Sequence, residues 1–326
     1  MSGLKQEIFA MVKDDLAAIE DELERNLNPY LDLISKIARH ILFSGGKRLR
    51  PLLMVLTARL CSYEGDYDKT FSIIFEYLHA ATLLHDDLID DAAMRRGKPV
   101  AHSIWGNSEA ILVGDFLLAR SLSISAKTGN IKVIRTIAKI TENMSKGEIH
   151  QLMRKGDLDI SQEEYLEVIR RKTAVLFQGA CRISAIIADA PNEKEKALSD
   201  YGYNLGLAFQ MADDLLDYTS DTKILGKEVG ADLKEGKLTL PVIYSLKAAD
   251  MKDRNMMENI IKNEKFSIND FEKLVELLKK YKGISYTQKL ASEHIKKAKK
   301  ALSIFERSET REILVKVADY ALNRKA

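Results

Sequence analysis

The sequence predicts an all-α fold, a single large helical bundle domain over residues 1–326, and three observations carry that expectation. Apolar residues recur at the three-to-four spacing of an amphipathic helix along almost the whole chain. Breakers are scarce: only five prolines occur, and Leu, Ala, Ile, Lys and Glu dominate, residues that favour a helix by propensity. The 46% hydrophobic content is enough to fill a large core.

Taken in order, the periodicity predicts helices from Ile8 to Leu27, Tyr30 to Phe43, Pro51 to Cys61, Thr70 to Ala92 and Ser108 to Lys127. Further helices are expected over Val133 to Met153, Gln162 to Asp189, Asn192 to Tyr218 and Thr239 to Ala249, with amphipathic segments from Phe271 onward. Ser161 with Glu164 and Ser267 with Asp270 have capping-box spacing, Pro51 suits a first helical turn, and Pro191 follows a helix end. No stretch suggests a strand. The segment Ser220 to Pro241 has weak helical pattern, and its Gly226, Gly230 and Gly236 interleave with Lys223, Lys227, Lys234 and Lys237, so it reads as a mobile basic loop.

Fifty basic and 48 acidic residues leave a formal net charge of +2. No global field therefore recruits nucleic acid or an anionic membrane, and any anion recognition must be local. Cys61 and Cys181 lack the short paired spacing of a metal knuckle and read as buried reduced thiols. No apolar run is long enough to span a bilayer, and Met1 to Lys13 has no signal-peptide core. A cytoplasmic protein is expected.

Chemistry concentrates in two acidic motifs. Residues 86–90 read Asp-Asp-Leu-Ile-Asp and residues 213–217 read Asp-Asp-Leu-Leu-Asp. In each, the first and last carboxylates stand at i and i+4 on one helical face, an oxygen claw for a hard divalent cation. The bland reading is a pair of solvated faces. At average composition, however, one such triplet arises by chance in roughly 7% of chains this long, and two in far fewer. Both motifs also follow core-like apolar flanks, where crowded carboxylates are costly unless cations compensate.

Basic groups surround the motifs in sequence. Gly45-Gly46-Lys47-Arg48-Leu49-Arg50-Pro51 is a helix break that places Lys47 and Arg50 near a new helix N-terminus, although alone it also reads as a solvated turn. Arg95 and Arg96 follow the first motif closely. Lys172-Thr173 lies mid-helix beside apolar residues, so the ammonium either faces a polar cavity or snorkels. His79 and His85 share the helix of the first motif. Each reads as a core histidine, and His85 beside Asp86 also admits a metal-dependent phosphohydrolase, which no further histidine cluster completes.

Together these segments, ending in Phe-Gln-Met-Ala-Asp-Asp-Leu-Leu-Asp at 209–217, resemble the trans-isoprenyl diphosphate synthases in order and spacing across roughly residues 40–245. The resemblance implies an all-helical bundle of the isoprenoid synthase type with a central cavity, working as a homodimer. It implies isopentenyl diphosphate on Lys47, Arg50, His79 and Arg96. The allylic diphosphate would meet Arg95, Lys172, Thr173, Gln210, Lys227 and Lys237, and Mg²⁺, three ions with substrate bound, would be held by Asp86, Asp87, Asp90, Asp213 and Asp217. Diphosphate oxygens clamped by metal and cations stabilise the leaving group, an allylic cation forms, the second substrate attacks, and loop closure over 220–237 excludes water.

In short-chain members of that family an aromatic residue commonly blocks the tail four or five positions before the first motif. Here Thr82 and Ala81 stand there, with Leu78 and Tyr77 one turn further back. A long, octaprenyl-type product is expected, with a geranylgeranyl-type or farnesyl product as the alternative and transient membrane contact at product release. A class I terpene cyclase would carry Asn, Ser or Thr and Glu in its second motif, and a non-catalytic partner subunit would show eroded motifs. Neither departure is present in the sequence.

Overall fold

Helical spacing and scarce breakers are realised as a succession of α-helices in the computed structural model, which describes residues 2–27, 31–219, 230–263 and 265–322. The first periodic stretch is split at Val12 into α1 (Ser2–Met11) and α2 (Lys13–Asn26), followed by α3 (Asp32–Leu42), α4 (Leu49–Leu60) and the long α5 (Tyr67–Ile89). Next come α6 (Ala101–Trp105), α7 (Asn107–Ala126), α8 (Ile131–Met153), α9 (Gln162–Ile169), α10 (Val175–Ile187) and α11 (Asn192–Thr219). The remainder is α12 (Ala231–Lys234), α13 (Leu240–Ala248), α14 (Met251–Lys262), α15 (Ile268–Lys280), α16 (Gly283–Ala301) and α17 (Glu309–Leu322). Both expected capping boxes form: the Ser161 and Ser267 hydroxyls accept the amides of Glu164 and Asp270, whose carboxylates return the bond.

Three local features depart from the sequence reading. A short β-hairpin pairs β1 (Met94–Arg95) with β2 (Lys98–Pro99) where no strand was expected. Its turn residues Arg96 and Gly97 take φ of 52° and 75°, the left-handed pair that a two-residue hairpin requires and that glycine adopts without strain. The helix over 162–187 is not uniform, since Arg170–Ala174 wind as a π-helix between α9 and α10. The expected basic loop Ser220 to Pro241 contains a helical turn, α12, while residues 220–229 lie outside the described residues.

The chain divides into two compact units, one of residues 1–141, 176–202 and 301–317, the other of 142–175, 203–300 and 318–326. In the first, α5 is central and α2, α3, α4 and α7 pack on it. Phe71, Phe75, Tyr77, Leu78 and Leu84 are buried around nearly its whole circumference, each contributing about 1.5–3 kcal/mol by leaving water. In the second, α13 packs on α9 and α15, Tyr244 stacks on Tyr286 with ring centroids 4.0 Å apart, and Tyr218 lies parallel to Phe271. Among the described residues no helix is long and apolar enough to cross a membrane. Cys181 is buried and Cys61 half-buried, and burial pushes the Cys61 thiol up to about 11.

Candidate active site

In the first unit the acidic motif occupies the last turn of α5. Asp90 is the residue just past the helix, its amide still bonded to the Asp86 carbonyl at 2.8 Å. The carboxylates therefore sit at the negative end of the helix dipole, among carbonyls without helical partners, where a cation is favoured and a further anion is not. Asp86 and Asp87 are buried. Arg95, reaching back from β1, donates to Asp87 Oδ1 from Nε at 2.7 Å, with Nη2 at 2.6 Å. The other oxygen, Oδ2, is buried and has no hydrogen-bond partner among the described residues, a condition that costs about 1–3 kcal/mol and that a cation relieves.

The turn before α4 sorts its three basic residues by environment. Arg48 takes the left-handed conformation (φ 48°) as the N-cap of α4. Its buried guanidinium donates to Glu20 at 2.6 Å, to Glu76 at 3.1 Å and to the Leu42 carbonyl at 2.7 Å. Arg48 thus braces the turn, and Lys47 and Arg50 flank it, both half-buried. The Arg50 guanidinium lies 4.9 Å from the Phe177 ring centroid. A methyl group at Gly46 would fall 3.5 Å from Arg96 Nη1, so the hairpin arginine rests against the same turn. His79 is held well below its ordinary pKa, first by burial and then by the charges of Arg50, Arg96, Arg95 and Arg48. Arg96 is itself lowered by partial burial and by Arg95. Arg50 and Arg96 are therefore brought near His79, with Lys47 in the same turn as Arg50, and positive charge gathered in this way marks a place for an anion.

His85 is settled by packing: Nε2 lies 3.2 Å from the Ile111 carbonyl and 3.6 Å from Asp115 on α7. Of the four residues expected to set product length, Tyr77, Leu78 and Ala81 are buried and Thr82 is half-buried. Tyr77 and Ala81 share one face of α5 one turn apart, and Leu78 and Thr82 share the neighbouring face. The Thr82 hydroxyl is turned onto the His79 carbonyl, while the Tyr77 hydroxyl donates to the Leu23 carbonyl of α2.

In the second unit the other acidic motif lies near the C-terminal end of α11, with Asp213 exposed, Asp217 half-buried and Asp214 buried. Both Asp217 oxygens accept backbone amides, those of Ala231 and Asp232 at 3.2 Å each, so this side chain caps α12. Lys172, in the π-helix, pairs with Glu148 at 2.6 Å and donates to Gln151 at 2.9 Å, both on α8. Its neighbour Thr173 donates to Gln210 Oε1 at 2.7 Å, and Gln210 Nε2 donates to Asp214 Oδ1 at 2.7 Å. The chain of bonds ends at buried Tyr165, whose hydroxyl donates to Asp214 Oδ2 at 2.6 Å. Burial raises Asp214 to about 7, against the opposing pull of the Tyr165 and Gln210 hydrogen bonds. α11 comes this close to the π-helix because Gly206 has no side chain: a methyl there would lie 2.6 Å from the Ala174 Cα. Lys237 pairs with Glu235 at 2.7 Å, and Lys227 lies outside the described residues.

Sequence reading overlooked Tyr165, Asp214, Glu148, Gln151 and the Glu20–Arg48–Glu76 brace. Glu148 and Gln151, one turn apart, carried a faint signal as polar residues on a shared face of α8. Tyr165 carried none, since its partner is 49 residues away.

The profile of the polyprenyl synthetase family matches residues 31–278. Octaprenyl diphosphate synthase of Escherichia coli (strain K12) is 37% identical over 319 residues, covering 98% of both chains. Among solved structures, a polyprenyl synthase from Caulobacter crescentus CB15, complexed with calcium and isoprenyl diphosphate, superposes with a TM-score of 0.92 at 38% identity, covering 99% of this chain and 98% of that one. Geranylgeranyl pyrophosphate synthetase from Pyrococcus horikoshii Ot3 gives 0.90 at 34% identity, covering 98% of this chain and 99% of that one.

Proposed function

From the premise that the chain belongs to the polyprenyl synthetase family and is a trans-prenyltransferase, we propose that it condenses isopentenyl diphosphate with an allylic diphosphate to give a long all-trans polyprenyl diphosphate. The observation that carries the long-chain reading is a buried alanine, Ala81, five residues before the first acidic motif, together with the near full-length likeness to an octaprenyl diphosphate synthase. The family match spans residues of both compact units, which supports treating 1–326 as one functional domain.

Isopentenyl diphosphate belongs on Lys47, Arg50, His79 and Arg96. Their mutual crowding is relieved when an anion arrives, and the Arg48 brace holds the turn that presents the first two. The allylic diphosphate belongs on Arg95, Lys172, Thr173, Gln210, Lys227 and Lys237. Arg95 and Lys172, now on Asp87 and Glu148, would turn part of their hydrogen-bonding capacity to phosphate oxygens.

The donor set fits Mg²⁺, because Asp86, Asp87, Asp90, Asp213 and Asp217 offer only carboxylate oxygens and Asp87 Oδ2 is buried with no hydrogen-bond partner among the described residues. Among the described residues no group of three or more acidic, histidine or cysteine side chains is gathered so as to hold a metal ion by itself. When bound, Mg²⁺ supplies Lewis-acid neutralisation of the departing diphosphate. The chain's own cations would each hold the diphosphate assigned to them, and His79, kept neutral, would offer a hydrogen bond without adding charge.

Purified protein with farnesyl diphosphate, labelled isopentenyl diphosphate and Mg²⁺ should yield polyprenyl diphosphates beyond geranylgeranyl length on chromatography. Products that stop at geranylgeranyl would favour the second reading, a short-chain synthase, which the likeness to the Pyrococcus protein supports. No incorporation from any allylic primer would sink both. A homodimer completes the proposal: Ile111, Leu112 and Leu122 leave apolar surface exposed on α7, suited to a second copy. Release of so apolar a product calls for transient contact with a lipid surface.

A further inference from the structure

The polar residues behind the second acidic motif form one directional chain of hydrogen bonds. Tyr165 is buried, and its hydroxyl donates to Asp214 Oδ2 at 2.6 Å. Asp214 is equally buried and accepts on both oxygens, from Tyr165 and from Gln210. The Gln210 amide is thereby oriented: its NH₂ is turned to Asp214 and its carbonyl accepts the Thr173 hydroxyl. An amide is symmetric enough in shape to sit either way round, so the partner that demands a donor decides which way it sits.

Asp214 is turned by about 100° from Asp213 and lies one turn before Asp217, and both of its oxygens are taken up by Tyr165 and Gln210. Its task is to be held. Holding it also fixes the rotation of the α11 turn that carries the two outer carboxylates. The π-helix contributes by bringing Thr173 to Gln210 across the close approach at Gly206 and Ala174.

We propose that Tyr165 is a positioning residue for the condensation: its hydroxyl holds Asp214, and through Asp214 it sets the Gln210 amide and the Thr173 hydroxyl in the orientation that receives the allylic diphosphate. This rests on the placement of that substrate given above. The chain of bonds runs through Tyr165, Asp214, Gln210 and Thr173, the last two assigned above to the allylic diphosphate. The effect of losing the hydroxyl is therefore selective for one substrate, whereas a general loss of packing would not be.

The test is a double-mutant cycle on the full chain, reading KM for each substrate and, independently of turnover, binding of inorganic pyrophosphate with Mg²⁺ by calorimetry. Tyr165→Phe removes one oxygen and keeps the ring. It should raise the allylic KM and weaken pyrophosphate binding about tenfold, with the isopentenyl diphosphate KM unchanged. Adding Tyr165→Phe to Gln210→Ala should cost nothing further, because the chain is already cut. Additive losses in the double variant, or equal increases in both KM values, would overturn the positioning role. If Tyr165→Phe does not fold, Asp214→Asn interrogates the same chain, and it must show the same selectivity. Absence of condensation by the unaltered protein would instead sink the prenyltransferase reading, and the positioning role with it.

Discussion

Glu76→Ala probes the turn that carries two of the proposed isopentenyl diphosphate ligands. Glu76 and Arg48 are both 7% exposed and meet at 3.1 Å. Removing one partner of a buried ion pair costs about 3–5 kcal/mol, because the other charge is stranded. Here the loss is partial, since Arg48 keeps Glu20 on Nε and Nη2 and the Leu42 carbonyl on Nη2. Glu20 is 40% exposed on its side chain, so solvent screens that remaining pair and it compensates only in part. A net cost of ~2–3 kcal/mol follows, or a fall of about 3–4 °C in Tm for a chain of this size. Arg48 holds a left-handed backbone between Lys47 and Arg50, so its loosening should reach them and raise the isopentenyl diphosphate KM by about tenfold, worth ~1.4 kcal/mol. The allylic KM should not change. Differential scanning fluorimetry and two-substrate kinetics measure both effects. A Tm within one degree of the unaltered protein would refute the buried-charge argument, and parallel increases in the two KM values would refute the link to the turn.

Ala81→Phe should shorten the product distribution while leaving the first condensation intact, and an unaltered distribution on chromatography would remove Ala81 as the gate. Chelation by EDTA should abolish condensation and Mg²⁺ should restore it, while Asp86→Ala with Asp213→Ala should lower kcat at least ~100-fold; undiminished elongation in either case would refute the metal site. His294, whose Nδ1–H donates to Asn204 at 2.8 Å, is lowered to about 4 by burial and then by Lys297, with Glu293 opposing. The unfolded chain therefore binds the proton first, and stability should be lost progressively as pH falls from about 6.5 toward 4, by ~3 kcal/mol in all from this group. Denaturation midpoints should show that slope, and His294→Gln should flatten it; an equal slope in the variant would assign the loss elsewhere.

Helix existence was legible because it depends on local spacing, and the capping boxes at Ser161 and Ser267 marked two starts to the residue. The two acidic motifs stood out for the same reason, their first and last carboxylates being four residues apart along one helix. What escaped is whatever depends on partners distant along the chain. Arg48 finds Glu20 and Glu76 each 28 residues away, so nothing in Gly-Gly-Lys-Arg-Leu-Arg told the middle of its three basic residues from Lys47 and Arg50. The hairpin at 94–99 escaped because two residues per strand leave no alternation to read. Lys172 was expected mid-helix, yet the π-helix around it was hidden, since a single extra residue in the ladder leaves the apolar spacing on either side unchanged.

Between Arg170 and Ala174 the backbone closes its bonds five residues apart where its neighbours close them four apart. The stretch therefore carries one residue more than an α-helical ladder of the same rise would hold. A chain shortened by one residue there would thread the same two ends with an ordinary ladder, melt at a higher temperature, and turn Lys172 or Thr173 away from Glu148, Gln151 and Gln210; a deletion variant that proved both sturdier and fully active would show the surplus to be idle.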